Sequence, residues 1–188
     1  MASALTHGFA AVALGRICSR QGRSPRFWGL TIASAILPDA DVIGFYFGIQ
    51  YGDVFGHRGF SHSLLFALLW SLFVVLLAFR SVPKCSREWW SLLGFFFLVT
   101  TSHGVLDAMT DGGLGVAFFS PFNSARYFFV WRPVMVSPIG VGSFFSHRGA
   151  LVLLSEVTYV WLPLSLFWLC VWLFRRVADR KETENSPS

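Results

Sequence analysis

From Trp89 to Met109 the chain reads WWSLLGFFFLVTTSHGVLDAM. This stretch is long enough to cross a bilayer as a helix, which takes about 20 mostly apolar residues. It carries no Lys or Arg, yet it contains His103 and Asp107. Imidazoles and carboxylates are expensive inside lipid and by default mark a functional site. Residues i and i+4 share a helix face, with Cβ atoms about 5–6 Å apart. His103 and Asp107 therefore point the same way, and a neutral imidazole and a carboxylate so placed can share a metal ion. The plainer alternative is a His–Asp hydrogen bond that only ties helices together.

The composition extends the membrane reading to the whole chain. Of 188 residues, 54% are hydrophobic and 13% charged, about half the charge of a soluble domain. This excludes an ordinary soluble enzyme, a disordered tail and a nucleic-acid binder. The 8 Trp agree, since Trp collects at membrane interfaces. The expected fold class is all-α: a polytopic transmembrane helical bundle, with short or broken helices around a polar metal site. Residues 1–175 form one membrane-embedded domain, and 176–188 form a charged, disordered cytoplasmic tail.

Outward from the 89–109 span, Ser63 to Phe79 reads as the cleanest transmembrane segment and Ala150 to Phe174 as the last span. Ala4 to Leu14 reads as a short, partly inserted helix without a basic region ahead of it, unlike a signal peptide. Phe27 to Ile49 is apolar but interrupted by Pro38-Asp39-Ala40-Asp41. Asp111 to Gly149 is too rich in Gly and Pro for a regular span. Most of the Lys and Arg fall in three stretches, Arg16 to Arg26, Arg80 to Arg87 and Arg175 to Lys181. Placing all three in the cytoplasm satisfies the positive-inside rule. The spans then alternate, and His7, Asp39, Asp41, His57, His62 and Asp107 all reach the outer, periplasmic side. Cys18, Cys85 and Cys170 fall on the basic side, where thiols stay reduced.

Two further units join His103 and Asp107. His57-Arg58-Gly59-Phe60-Ser61-His62-Ser63 lies at the mouth of a span. A polar loop ending in a Ser cap explains the serines but not two histidines. In Leu37-Pro38-Asp39-Ala40-Asp41, two carboxylates repel unless a cation lies between them; the alternative is a short exposed turn. The expected metal ligands are His7, Asp39, His57, His103 and Asp107, with Asp41, His62 and Glu156 as further candidates. Asp41, His62 and Arg58 are the expected catalytic groups. This set exceeds one tetrahedral zinc site and suits one or two ions of Zn, or of Mn or another transition metal. No Ser-His-Asp, Walker or GxSxG motif is present. Metal-activated water is the best-supported nucleophile.

The order Thr6-His7, Leu37-Pro38-Asp39-x-Asp41, His57-Arg58-Gly59-x-x-His62-Ser63 and His103-x-x-x-Asp107-x-x-Thr110-x-x-Gly113 resembles the YdjM family. Those are bacterial and archaeal inner-membrane proteins described as metal-dependent hydrolases. More distantly, the order resembles the zinc-dependent phospholipase C and P1 nuclease group, whose early His, Asp, His and His-x-x-x-Asp match His7, Asp39, His57, His103 and Asp107. The departures are Met1 where that group has Trp, and only His147 and Glu156 downstream, at other spacings. One or two metals are then expected rather than three. The resemblance and the membrane location together imply a membrane-bound phosphoesterase acting on a lipid or lipid-linked substrate, with Arg58, Arg126 or Arg132 on its phosphate. The rivals are a non-catalytic membrane metal-binding or transport protein, a structural protein tied by His–Asp pairs, and an ester or amide hydrolase.

Overall fold

The computed structural model describes residues 1–19, 23–138 and 144–184. Among the described residues six α-helices order the chain: α1 (Ala4–Cys18), α2 (Pro25–Ile36), α3 (Leu64–Ala78), α4 (Arg87–Ala108), α5 (His147–Glu156) and α6 (Leu162–Glu184). A 3₁₀ segment, Leu37–Phe47, continues α2. A 3₁₀ turn, Phe60–His62, precedes α3, and a π-turn, Val157–Trp161, joins α5 to α6. No strand occurs among the described residues; two isolated bridges, Thr110 to Val134 and Val116 to Tyr127, order the 111–138 region.

The helix starts have one chemical cause. Ser3, Ser24, Ser63, Ser86 and Ser146 each accept a hydrogen bond from a backbone N–H in the first turn of the helix that follows. Such a cap is worth about 1 kcal/mol in water, and in lipid an uncapped N–H has no water to turn to.

Among the described residues three stretches are long and apolar enough to cross a membrane: Pro25–Phe47, Arg87–Ala108 and His147–Arg180. Helix α3 is shorter than the span its sequence suggests. Its 15 residues extend about 22 Å, short of the roughly 30 Å hydrocarbon core. Helix α1 runs four residues past Leu14, and Arg16 in its last turn lies over the Trp28 ring. Helix α6 continues to Glu184, beyond the expected span end at Phe174 and into the stretch expected to be disordered. Residues 185–188 of that stretch lie outside the described residues.

Helix α4 is central, packed on α1, α2 and α3. Of its most apolar 18-residue stretch 56% is buried inside the protein, against 6% of the matching stretch in the α5–α6 rod, which leaves that stretch facing outward. Lipid tails are as apolar as Leu, so these helices associate through close packing rather than the hydrophobic effect. Small residues permit it: Ala10, Ala11 and Ala13 of α1, Ala35 of α2 and Ala67 of α3 are all buried. Phe27, Phe95, Phe96, Val74, Val75 and Val99 fill the core toward the basic end. Polar residues gather at the other end, where α1 and α3 begin and α4 finishes.

Candidate metal centre

The unwound 37–47 segment starts the site. Pro38 has no N–H to continue α2, and the chain tightens to 3₁₀ winding there. Asp39 is buried, and both its carboxylate oxygens lack a hydrogen-bond partner among the described residues. An unpaired buried carboxylate is too costly to stand alone.

The loop before α3 supplies the second element. Gly59 is required by its surroundings: a Cβ there would lie 2.2 Å from the Val54 carbonyl oxygen and 2.7 Å from that of Gly56. Arg58 stands in the left-handed region, at φ 63°. This winding turns His57, Arg58 and His62 inward together, and all three are buried. Gly59→Ala is expected to force the loop open, costing about 1–3 kcal/mol and releasing bound metal. Thermal unfolding with elemental analysis of the purified variant checks this; unchanged metal would refute it.

The third element is the last two turns of α4, with His103 and Asp107 fully buried. The fourth is His7 in the first turns of α1. Its ring stacks on that of His103, with centroids 3.7 Å apart and planes 15° apart, and neither His7 nitrogen has a hydrogen-bond partner among the described residues.

Three imidazoles are oriented from behind. His103 Nδ1 donates to the Ala35 carbonyl oxygen at 2.7 Å. His57 Nδ1 lies 2.7 Å from Asp41 Oδ1. His62 Nδ1 lies 3.2 Å from Asp41 Oδ2 and 2.9 Å from Ser61 Oγ. Each ring thereby presents Nε2. Metal-bound histidines are held this way, the outer N–H fixing the tautomer. The Nε2 atoms of His62 and His103 are 3.0 Å apart. Asp39 Oδ1 is 3.2 Å from His103 Nε2 and 3.6 Å from His62 Nε2. Asp107 Oδ2 is 3.6 Å from His62 Nε2, and Asp107 Oδ1 is 3.5 Å from His7 Nε2.

The donor atoms form two overlapping groups, each drawn within 4.8 Å: Asp39, His62, His103 and Asp107, and Asp41, His57 and His62. His62 is common to both. Three carboxylates (Asp39, Asp41 and Asp107) here face one buried guanidinium, that of Arg58. Burial disfavours a charge on His62, but Asp107, Asp39 and Asp41 outweigh it and push its pKa up to about 10. The three carboxylates thus call for positive charge at the place where His62 stands.

Arg58 is fully engaged within the protein. It donates to Asp107 Oδ2 (3.0 Å), to the Gly112 carbonyl oxygen (2.8 Å) and to Thr110 Oγ1 (2.9 Å). Arg126 is likewise occupied, bonding the carbonyl oxygens of His57, Tyr51 and Asp53, and Arg132 lies over the Phe128 ring. Glu156 is fully buried but faces the start of α1, accepting from the Ser3 N–H, Ser3 Oγ and Thr6 Oγ1.

The sequence profile of the YdjM inner membrane protein family matches residues 1–182. The chain belongs to the YdjM family. It is also 36% identical over 176 residues to inner membrane protein YbcI of Escherichia coli strain K12, covering 94% of this chain and 100% of that relative. No solved structure matches the chain. The likeness to the phospholipase C and P1 nuclease group stays at the level of motif order.

In this YdjM-family protein the sequence-expected residues Asp39, Asp41, His57, His62, His103 and Asp107 meet, with His7 stacked on their flank. Glu156 belongs to a separate network. Asp53 serves a turn, accepting from the Gln50 N–H, and His147 opens α5. The sequence reading missed the backing groups Ala35, Ser61, Thr110 and Gly112. Of these only Thr110 carried a signal, by following Asp107 in the family pattern.

Proposed function

We propose that this protein is a membrane-bound, metal-dependent hydrolase, acting on the phosphoester of a lipid or lipid-linked substrate. One observation carries the reading: three buried imidazoles are each held at Nδ1, and those of His62 and His103 present Nε2 to the carboxylates of Asp39 and Asp107. A bound zinc or similar divalent ion would supply an activated water and an electrophile for the substrate's oxygens.

The residues divide the work. His103, Asp39, Asp107 and His62 would hold the ion, with Asp41 orienting the His57 and His62 rings from behind. His7 closes the flank. Asp41 is the group placed to accept a proton, beside His57, His62 and Ser61 Oγ. Arg58 acts as a positioning residue through Asp107 rather than on a phosphate. The site sits where α4 ends and α1 and α3 begin, an end of the bundle that would lie near headgroup depth in a membrane. That depth favours a lipid phosphoester, with the outer face as the proposed orientation.

A metal transport path would spread ligands through the membrane, whereas here they form two overlapping groups, each within 4.8 Å, at one end of the bundle. The test is elemental analysis of detergent-purified protein, followed by a phospholipid and phosphoester screen. His103→Ala is expected to lose its metal and, with it, any turnover. Wild type that stays metal-free after loading with zinc and with manganese would overturn the proposal. Metal without turnover on any such substrate would leave a metal-binding protein.

A further inference from the structure

At the end of the bundle opposite the metal centre, a cavity of about 340 Å³ opens between the C-terminus of α1 and α6. Arg16, Trp168, Trp172, Arg175, Arg176 and Asp179 line it. The three arginines play two different parts. Arg175 donates to the carbonyl oxygens of Arg16, Ile17 and Ser19. These are groups that a helix end leaves without partners, so Arg175 clips α6 to α1 and floors the cavity.

Arg16 and Arg176 are held otherwise. The Arg16 guanidinium lies 5.0 Å from the centre of the Trp28 ring, and that of Arg176 lies 4.8 Å from the centre of the Trp172 ring. Stacking fixes the plane of a guanidinium and leaves its N–H edge open for a planar or tetrahedral anion. Asp179 on the rim is already engaged.

Trp168 and Trp172 also line an adjoining, almost wholly apolar groove of about 410 Å³, with Ser165 and Leu169. This groove runs along the lipid-facing side of α6 toward the membrane interior. A cationic chamber above an apolar groove, with indole rings at the junction, matches a molecule with an anionic phosphate head and an acyl chain. Basic pockets beside membrane helices bind anionic headgroups by this means.

We propose that this cavity binds an anionic phospholipid, its phosphate between Arg16 and Arg176 and one acyl chain along Trp168, Leu169 and Trp172. The lipid would seal α6 against α1 at the basic end of the bundle, independently of the metal centre and of any hydrolysis.

The test titrates short-chain phosphatidylglycerol and phosphatidylcholine into metal-loaded protein in detergent, reading bound lipid by native mass spectrometry. Phosphatidylglycerol is expected to bind better, with affinity about five-fold weaker in Arg16→Gln or Arg176→Gln and about twenty-five-fold weaker in the pair. Arg80→Gln, a basic residue outside the cavity, should leave binding unchanged. An unchanged unfolding temperature shows that a variant is folded. If the glutamine forms fail to fold, Arg16→Lys and Arg176→Lys make the same comparison, since lysine keeps the charge but not the fork. Equal binding of the two lipids, equal binding by all variants, or displacement of phosphatidylglycerol by millimolar inorganic phosphate alone would overturn the proposal.

Discussion

Asp107→Asn is expected to yield a folded but metal-free protein with a lower unfolding temperature. The substitution keeps the side-chain shape, so the amide oxygen can still accept one of the two hydrogen bonds that the carboxylate takes from the Ala2 N–H (2.7 Å) and Arg58 Nε (3.0 Å). What disappears is charge. Three carboxylates against Arg58 become two, and the excess that would draw a divalent ion is halved. The Arg58 guanidinium, fully buried, loses its counter-ion. Removing one partner of a buried ion pair costs about 3–5 kcal/mol, and the bonds to Gly112 and Thr110 offset part of that. The charge argument yields a second expectation. Adding Arg58→Gln should restore some thermal stability, because the uncompensated cation is gone, but should restore no metal. Elemental analysis and thermal unfolding of the wild type, both single variants and the double variant separate the two effects. Full metal in Asp107→Asn would remove Asp107 from the ligand set.

The contrast between Asp107 and Arg58 shows what the sequence could tell. His103 and Asp107 were legible because their spacing, four residues in an uncharged apolar stretch, is a statement about one helix face. The Pro38 break was legible because proline cannot continue a helix, but its consequence was not. The chain does not turn out to solvent; it winds on in 3₁₀ form to Phe47 and holds Asp39 in the interior. Arg58 invited a guess of phosphate binding, since arginine suits phosphate. Its actual partners, Thr110 and Gly112, lie more than fifty residues away along the chain, at a distance no local pattern encodes. The orienting contact of His57 was hidden for the same reason, because it depends on Asp41 arriving from another segment. Local periodicity announces a ligand; its support is a tertiary fact.

Glu156 is the extreme case of such support, and its substitution is expected to weaken metal binding without abolishing it. Its carboxylate takes hydrogen bonds from the Ser3 N–H, from Ser3 Oγ at 2.6 Å and from Thr6 Oγ1 at 2.8 Å. Thr6 Oγ1 also accepts from Trp161 Nε1 at 2.7 Å. The π-turn Val157–Trp161 begins one residue after Glu156, and such turns often mark functional positions in helices. An anion at the positive end of α1 is also favoured by the helix dipole. Glu156 thus fixes the start of α1 from across the bundle. The fixed turn carries the Ala2 N–H onto Asp107 and His7 onto the His103 ring. Glu156→Ala leaves two hydroxyls and one N–H short of an acceptor, at about 1–3 kcal/mol for each group left unpaired. Metal affinity is expected to fall about 10- to 100-fold, the range for losing a group that orients a ligand. A ligand would behave differently, because its loss would empty a site rather than loosen it. Competition of wild type, Glu156→Ala, His7→Ala and the double variant against a metal indicator decides the matter. If Glu156 acts through His7, the double variant binds metal no worse than the more affected single variant. Additive losses would mean that Glu156 reaches the metal centre by another route.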